Sequence, residues 1–165
     1  MNLQDEKSRL QQSFLAGTRP TGLNGFYRGQ LVKFFPTSTL FYIAGQVAKI
    51  WLPWYGKEFN PEKQRGHNIL PAYLSGFIRS RYGDQVIVGK GNNTLKVFPF
   101  RTNIAKSLKD NLKVLQLDYN LAENPQLVRD VIDELVCVGE NNYLGKAYLK
   151  KDNNFRLVAY FSLMK

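Results

Sequence analysis

Few residues in this chain have the types and spacing that chemistry requires. Its 165 residues include one histidine, His67, and one cysteine, Cys137. A single histidine excludes the HExxH zinc motif. A single cysteine excludes an internal disulfide framework and a multi-cysteine zinc site. No GxSxG elbow, P-loop or GxGxxG fingerprint occurs. Gly89-Lys90-Gly91 has a GxG spacing but opens a hairpin rather than a helix. Cys137 closes an apolar stretch and reads as a small core residue, not a nucleophile. His67 lies in a polar loop and reads as a surface histidine, not a metal or haem ligand. Asp130, Asp133 and Glu134 read as the solvated face of a helix, not a paired-carboxylate site. No reaction is specified and no cofactor is identifiable, so whether the chain is an enzyme stays open.

The elements that would position any site are mostly strands. Good helix formers with early acids predict a helix over 5–15, stopped by Gly17. Residues 25–35 predict a strand ended by Pro36. Leu40, Ile43, Ala44, Val47, Ile50 and Trp51 recur at helical spacing over 38–51. A short strand is expected over 54–59, then a polar, turn-rich stretch to Pro71. Strands follow at 73–82, 85–90, 94–100 and 112–119, with Gly91-Asn92-Asn93 as a hairpin turn. Asn124-Pro125 predicts the start of a helix running to about Val138. Residues 142–150 and 155–164 form a terminal hairpin. The fold class is α+β, mainly antiparallel, a barrel or strongly curved sheet with about three helices. It is a single domain over 1–165, with the sheet over about 25–164.

Hydrophobic residues make up 44% of the chain and its net charge is +10. That composition excludes wholesale disorder. Residues 1–109 hold 16 Lys/Arg against 5 Asp/Glu, and 16 of the 22 aromatics. The asymmetry predicts one basic, aromatic-bearing side. The N-terminus lacks the basic and apolar regions of a signal peptide, and no stretch has the length of a transmembrane segment. A cytoplasmic location is expected.

Gly25-Phe26-Tyr27-Arg28-Gly29 opens the first strand, and Trp54-Tyr55-Gly56-Lys57-Glu58-Phe59 follows the helix after it. The first motif resembles the Gly-x-Trp-x-Gly pattern of small bacterial domains named for it. It is similar, more loosely, to the Gly-x-Trp start of lipocalins and other calycin barrels. Tyr27 stands where those patterns have Trp. The resemblance implies a lipocalin-like β-barrel with the aromatic closing one end. It also implies an arginine near the last strand over that aromatic, and Arg156 is the candidate by position.

In the terminal hairpin, Phe155, Leu157, Ala159, Phe161 and Leu163 share one side. Lys146, Tyr148, Arg156 and Tyr160 lie on the other. This second face either meets solvent or lines a cavity, where cations and hydroxyls would hold an acid group. The sequence favours non-catalytic binding of a small apolar ligand with an acidic group: a fatty acid, an isoprenoid or a tetrapyrrole. Its site residues would be Tyr27, Arg28, Trp54, Lys57, Lys146, Tyr148, Arg156 and Tyr160. Three alternatives remain. The basic surface could bind a polyanion, either nucleic acid or an anionic membrane. It could meet an acidic protein partner. Or the barrel could serve a cofactor pathway as an enzyme or chaperone.

Overall fold

The computed structural model describes residues 3–35 and 54–165. The helix expected over 38–51, with Trp51, lies outside the described residues. Helix α1 (Leu3–Ala16) carries Asp5 and Glu6 in its first turn, where acids complement the helix dipole. Nine strands are described: β1 (Gly25–Phe34), β2 (Gly56–Asn60), β3 (Arg65–Pro71), β4 (Ile87–Gly91), β5 (Thr94–Lys106), β6 (Lys113–Asp118), β7 (Val131–Gly139), β8 (Asn142–Lys151) and β9 (Asn154–Met164). Helix α2 (Ser75–Tyr82) lies between β3 and β4, and the single-turn α3 (Gln126–Arg129) precedes β7.

The sheet order is β3-β2-β1-β9-β8-β7-β6-β5-β4, and β3 pairs again with β5. Eight strands therefore close into an antiparallel barrel. Strand β4 lies along the first part of β5, opposite residues 94–97, while β6 takes residues 101–106. Between these two partners, Phe98 has φ 49°, a left-handed conformation that is uncommon for a bulky residue. It marks the bend at which β5 changes neighbours. Asn93, with φ 53°, makes the expected hairpin turn, since asparagine tolerates that region better than most residues.

Three sequence expectations need correction. The polar stretch before Pro71 contains β3, whose residues alternate between the barrel interior and the outside. The strand expected over 73–82 is mostly α2. Ile78 and Tyr82, four apart, bury one face of that helix, and Tyr82 meets Phe98 edge-on at 5.6 Å. Of the helix expected to reach Val138, only one turn forms, and β7 replaces the rest. The pairs Val131/Ile132 and Leu135/Val136 mimic helical spacing because β7 is covered on both faces. A strand buried on both sides loses its alternation.

Two apolar clusters result. The larger fills the barrel and includes Tyr27, Phe59, Phe100, Leu117, Leu135, Ala147 and Phe161. The smaller lies between α1 and the outer wall, with Phe14 of α1 against Val114, Val136, Leu144 and Tyr160. Among the described residues, no helix is long and apolar enough to cross a membrane.

Candidate functional site

Strand register decides which side chains face inward. Tyr27 of β1 lies opposite Lys57 of β2, and Lys57 lies opposite Asn68 of β3. Across the barrel, Leu117 of β6 lies opposite Asp133 of β7. Because side chains alternate with period 2, Tyr119, just beyond β6, points inward with Leu117. Lys57, Asn68, Tyr119 and Asp133 thus converge inside the barrel from four parts of the chain.

Their polar atoms form one cluster. Lys57 Nζ is 2.9 Å from Asp133 Oδ2. It donates to Tyr119 Oη at 2.5 Å and to Asn68 Oδ1 at 2.8 Å. Tyr119 Oη donates to Asp133 Oδ2 at 3.1 Å and accepts from Asn68 Nδ2 at 3.2 Å. Lys57 is 3% exposed and Asp133 is 2% exposed. Four aromatic rings surround the ammonium. Their centroids lie at 5.2 Å for Trp54, Tyr119 and Phe161, and at 5.3 Å for Phe100. Ring faces attract a desolvated cation. Burial nevertheless lowers the Lys57 pKa, with Asp133 opposing the shift. Burial first, then the Asp133 charge, pushes the Tyr119 pKa well above its ordinary value. Tyr119 therefore stays a neutral donor.

The cluster borders a cavity of about 60 Å³. Leu31, Trp54, Phe98, Val131 and Phe161 wall it, together with Leu127 and Val128 from α3. The Trp54 indole lies against Gly29, where a Cβ would come within 2.4 Å of the ring. The second glycine of the Gly-x-Tyr-x-Gly motif thus makes room for a cavity wall, while Gly25 adopts φ 77°. Asn124, buried below α3, donates to the carbonyls of Pro99 and Tyr119 at 2.7 and 2.8 Å. That ties the segment before α3 to the same region.

Of the eight expected site residues, only Lys57 and Trp54 are at the cavity. Tyr27 is buried elsewhere in the barrel, edge-on to Phe59 and Tyr143 at 5.5 Å each. The cation over its ring is Lys165, at 4.5 Å. Arg156 lies opposite Leu149 near the far turn of β9 and is exposed. Arg28 is exposed on β1. Lys146, Tyr148 and Tyr160 line neither a cavity inside the barrel nor a solvated face. They are buried, and Lys146 and Tyr160 lie beneath α1: the Phe14 ring is 4.2 Å from Lys146 Nζ, and Tyr160 shares the Phe14 cluster. A bulge between Ala147 and Tyr148 breaks the expected two-face pattern, so Val158 joins Ala159 and Phe161 in the inner cluster.

The expected solvated helix face is also corrected. Asp133 and Glu134 are buried on β7, one inside the barrel and one outside. His67 lies on β3, half-buried, with Nε2 3.7 Å from Glu58 Oε1. Burial lowers its pKa, with Glu58 opposing. Cys137 lies on β7 rather than a helix, partly buried against the barrel cluster.

Sequence reasoning missed Asn68, Tyr119 and Asp133. One signal was available for Asp133: a carboxylate within the apolar run Val131–Val138 must be buried if the run is a strand.

No family model matches this sequence, and no curated protein matches it. Among solved structures, a crystal structure of a protein from Thermomonospora curvata is similar. It is 13% identical, with a TM-score of 0.52 over 100% of this chain and 99% of that one. At that identity the likeness shows a shared fold and nothing about function.

Proposed function

We propose that this chain is a non-catalytic, cytoplasmic binding protein. Its barrel would take a small, mainly apolar ligand and hold the ligand's polar group at Lys57, Tyr119 and Asp133. The observation that carries this reading is the cavity: apolar walls inside a closed barrel, ending on a buried polar cluster. Such an arrangement is the usual form of a small-molecule site, and eight strands leave room for one small ligand.

The volume sets the scale. A cavity of about 60 Å³ is less than half the roughly 150 Å³ that takes benzene. The enclosed space suits a head group and a few carbons. A fatty-acid or isoprenoid chain would continue outward past Leu127 and Val128, and a tetrapyrrole is much larger than the space. The reading is binding rather than conversion because each Lys57 donor already has an acceptor. The closed antiparallel barrel, Gly25-x-Tyr27-x-Gly29 opening its first strand, and a cation over Tyr27 support assigning it to the calycin type.

Native mass spectrometry of protein purified from its own cells, with organic extraction, tests this reading. The expected result is a stoichiometric small molecule retained at high salt. The double variant Lys57→Met/Asp133→Leu should fold without retaining it. A clean apo mass, with nucleic acid lost as salt rises, would overturn the reading in favour of a polyanion-binding surface.

A further inference from the structure

The cluster inside the barrel has one unmet hydrogen-bonding position, and its sign identifies the group that fits. Lys57 Nζ has three donors, and three oxygens take them: Asn68 Oδ1, Tyr119 Oη and Asp133 Oδ2. Tyr119 Oη donates to Asp133 and accepts from Lys57 and Asn68. Asn68 Nδ2 donates to Tyr119 Oη and to the Phe98 carbonyl. Asp133 Oδ2 accepts from Tyr119 and faces Lys57. Asp133 Oδ1 is buried with no hydrogen-bond partner among the described residues, and Asp133 lines the cavity. A buried carboxylate oxygen without a donor is costly, so this is the position a ligand can serve.

We infer that the ligand's polar group is an uncharged hydrogen-bond donor, an alcohol hydroxyl, that binds Asp133 Oδ1. The inference rests on the binding reading above and narrows it. A carboxylate or phosphate brings acceptors to a place where the cation's donors are already occupied, and it would add an unbalanced negative charge beside Asp133. An ammonium would add an unbalanced positive charge beside Lys57. A hydroxyl leaves the Lys57–Asp133 pair neutral and supplies the missing proton. The second unpartnered buried atom on this wall, Trp54 Nε1, is a donor. A hydroxyl oxygen also offers the lone pairs that such a donor needs.

The test uses the full chain and four six-carbon probes: 1-hexanol, hexanoate, hexylamine and methyl hexyl ether. Each is titrated at the same pH and salt, and NMR follows the Trp54 indole N–H and the Leu127 and Val128 methyls. The expected result is saturable binding of 1-hexanol at least tenfold tighter than the other three. If hexanoate or hexylamine binds tightest, the inference is overturned and the binding reading stands. If the ether matches the alcohol, the proton is not recognised, with the same consequence. If no probe moves the cavity signals, water serves Oδ1 and both readings fall. In Lys57→Met/Asp133→Leu, any residual binding should show no preference for the alcohol over the ether.

Discussion

Two buried lysines lie on opposite sides of one barrel wall, and their surroundings differ. Asp133 of β7 faces inward opposite Ala147, and the next residue, Glu134, faces outward opposite Lys146. The inner lysine, Lys57, meets Asp133 in an aromatic cage beside a cavity. The outer lysine, Lys146, is 2.5 Å from Asp110 Oδ2 beneath α1. Gln11 of α1 donates to Asp110 Oδ1 at 2.7 Å and accepts from Tyr160 Oη at 3.0 Å. Glu134 accepts from Ser107 Oγ at 2.7 Å and from the Leu108 N–H at 2.5 Å. The outer cluster joins a helix, a loop and three strands, and both oxygens of each carboxylate have partners. The inner cluster joins four parts of the barrel and leaves one oxygen open. Residue type alone does not separate a latch from a binding site. An open valence beside free space does.

The largest expected effects come from removing either cation. Lys57→Met and Lys146→Met should each cost about 3–5 kcal/mol, because each leaves a buried carboxylate unpaired. The double variants should then differ. Lys57→Met/Asp133→Leu removes both charges and leaves Tyr119 and Asn68 to hydrogen-bond each other, so it should recover most of the loss. Lys146→Met/Asp110→Leu also removes the acceptor of Gln11, so α1 loses an anchor and recovery should be smaller. Urea unfolding of the four variants measures both cycles. Equal recovery inside and outside would remove the distinction between latch and site.

The two clusters should also respond to pH with opposite signs. Burial raises the Glu134 pKa above its ordinary 4.5, against hydrogen bonds from Leu108 and Ser107. Glu134 therefore holds its proton more tightly folded than unfolded, and its contribution to stability grows as pH falls through that window. Burial lowers the Lys57 pKa below its ordinary 10.5. Lys57 holds its proton less tightly when folded, so its contribution grows as pH rises toward 10.5. Each shifted unit corresponds to about 1.4 kcal/mol. Stability against pH, compared between wild type, Glu134→Gln and Lys57→Met/Asp133→Leu, should lose the acid response in the first variant and the alkaline response in the second.

A smaller effect should separate the cavity from the latch. Asn124→Ala removes the two hydrogen bonds that hold the segment before α3 to Pro99 and Tyr119. It should cost about 1–3 kcal/mol and weaken binding at the cavity. Hydrogen exchange beneath α1 should stay unchanged. Faster exchange at Ser107–Lys109 as well would mean that the two regions open together.

The sequence made the hairpins legible but not the cluster. The β8–β9 hairpin was found in place, although the bulge between Ala147 and Tyr148 breaks its alternation, and the β4–β5 turn carries asparagine where φ is positive. β7 was illegible because its two faces meet different apolar partners, the barrel core and α1, which leaves a run that reads as helical. That misreading hid Asp133. Lys57 was legible as a candidate because it follows an aromatic pair in a short strand. Its partners were not, since Asn68, Tyr119 and Asp133 come to it only through barrel closure. Lys146 and Tyr160 attracted attention for the right chemistry on the wrong side of the wall. Nothing in β8 or β9 shows that a helix more than a hundred residues earlier covers that face.

The smallest expected effect concerns the two arginines that charge complementarity favoured. Arg28 and Arg156 are exposed, and neither lines the cavity. If the ligand's acid group were met by a surface cation, Arg28→Gln and Arg156→Gln would weaken its binding and steepen the loss in salt. If recognition lies inside the wall, each substitution should change stability by no more than about 0.5 kcal/mol and leave the affinity for 1-hexanol within twofold. The solvent around an exposed guanidinium screens its charge. A site desolvated by four rings and a neutral ion pair is shielded from that distant charge. Calorimetric titration of both variants with hexanoate and with 1-hexanol, at low and high salt, decides between the two. A tenfold loss in either variant would move the ligand out of the barrel and onto its basic side.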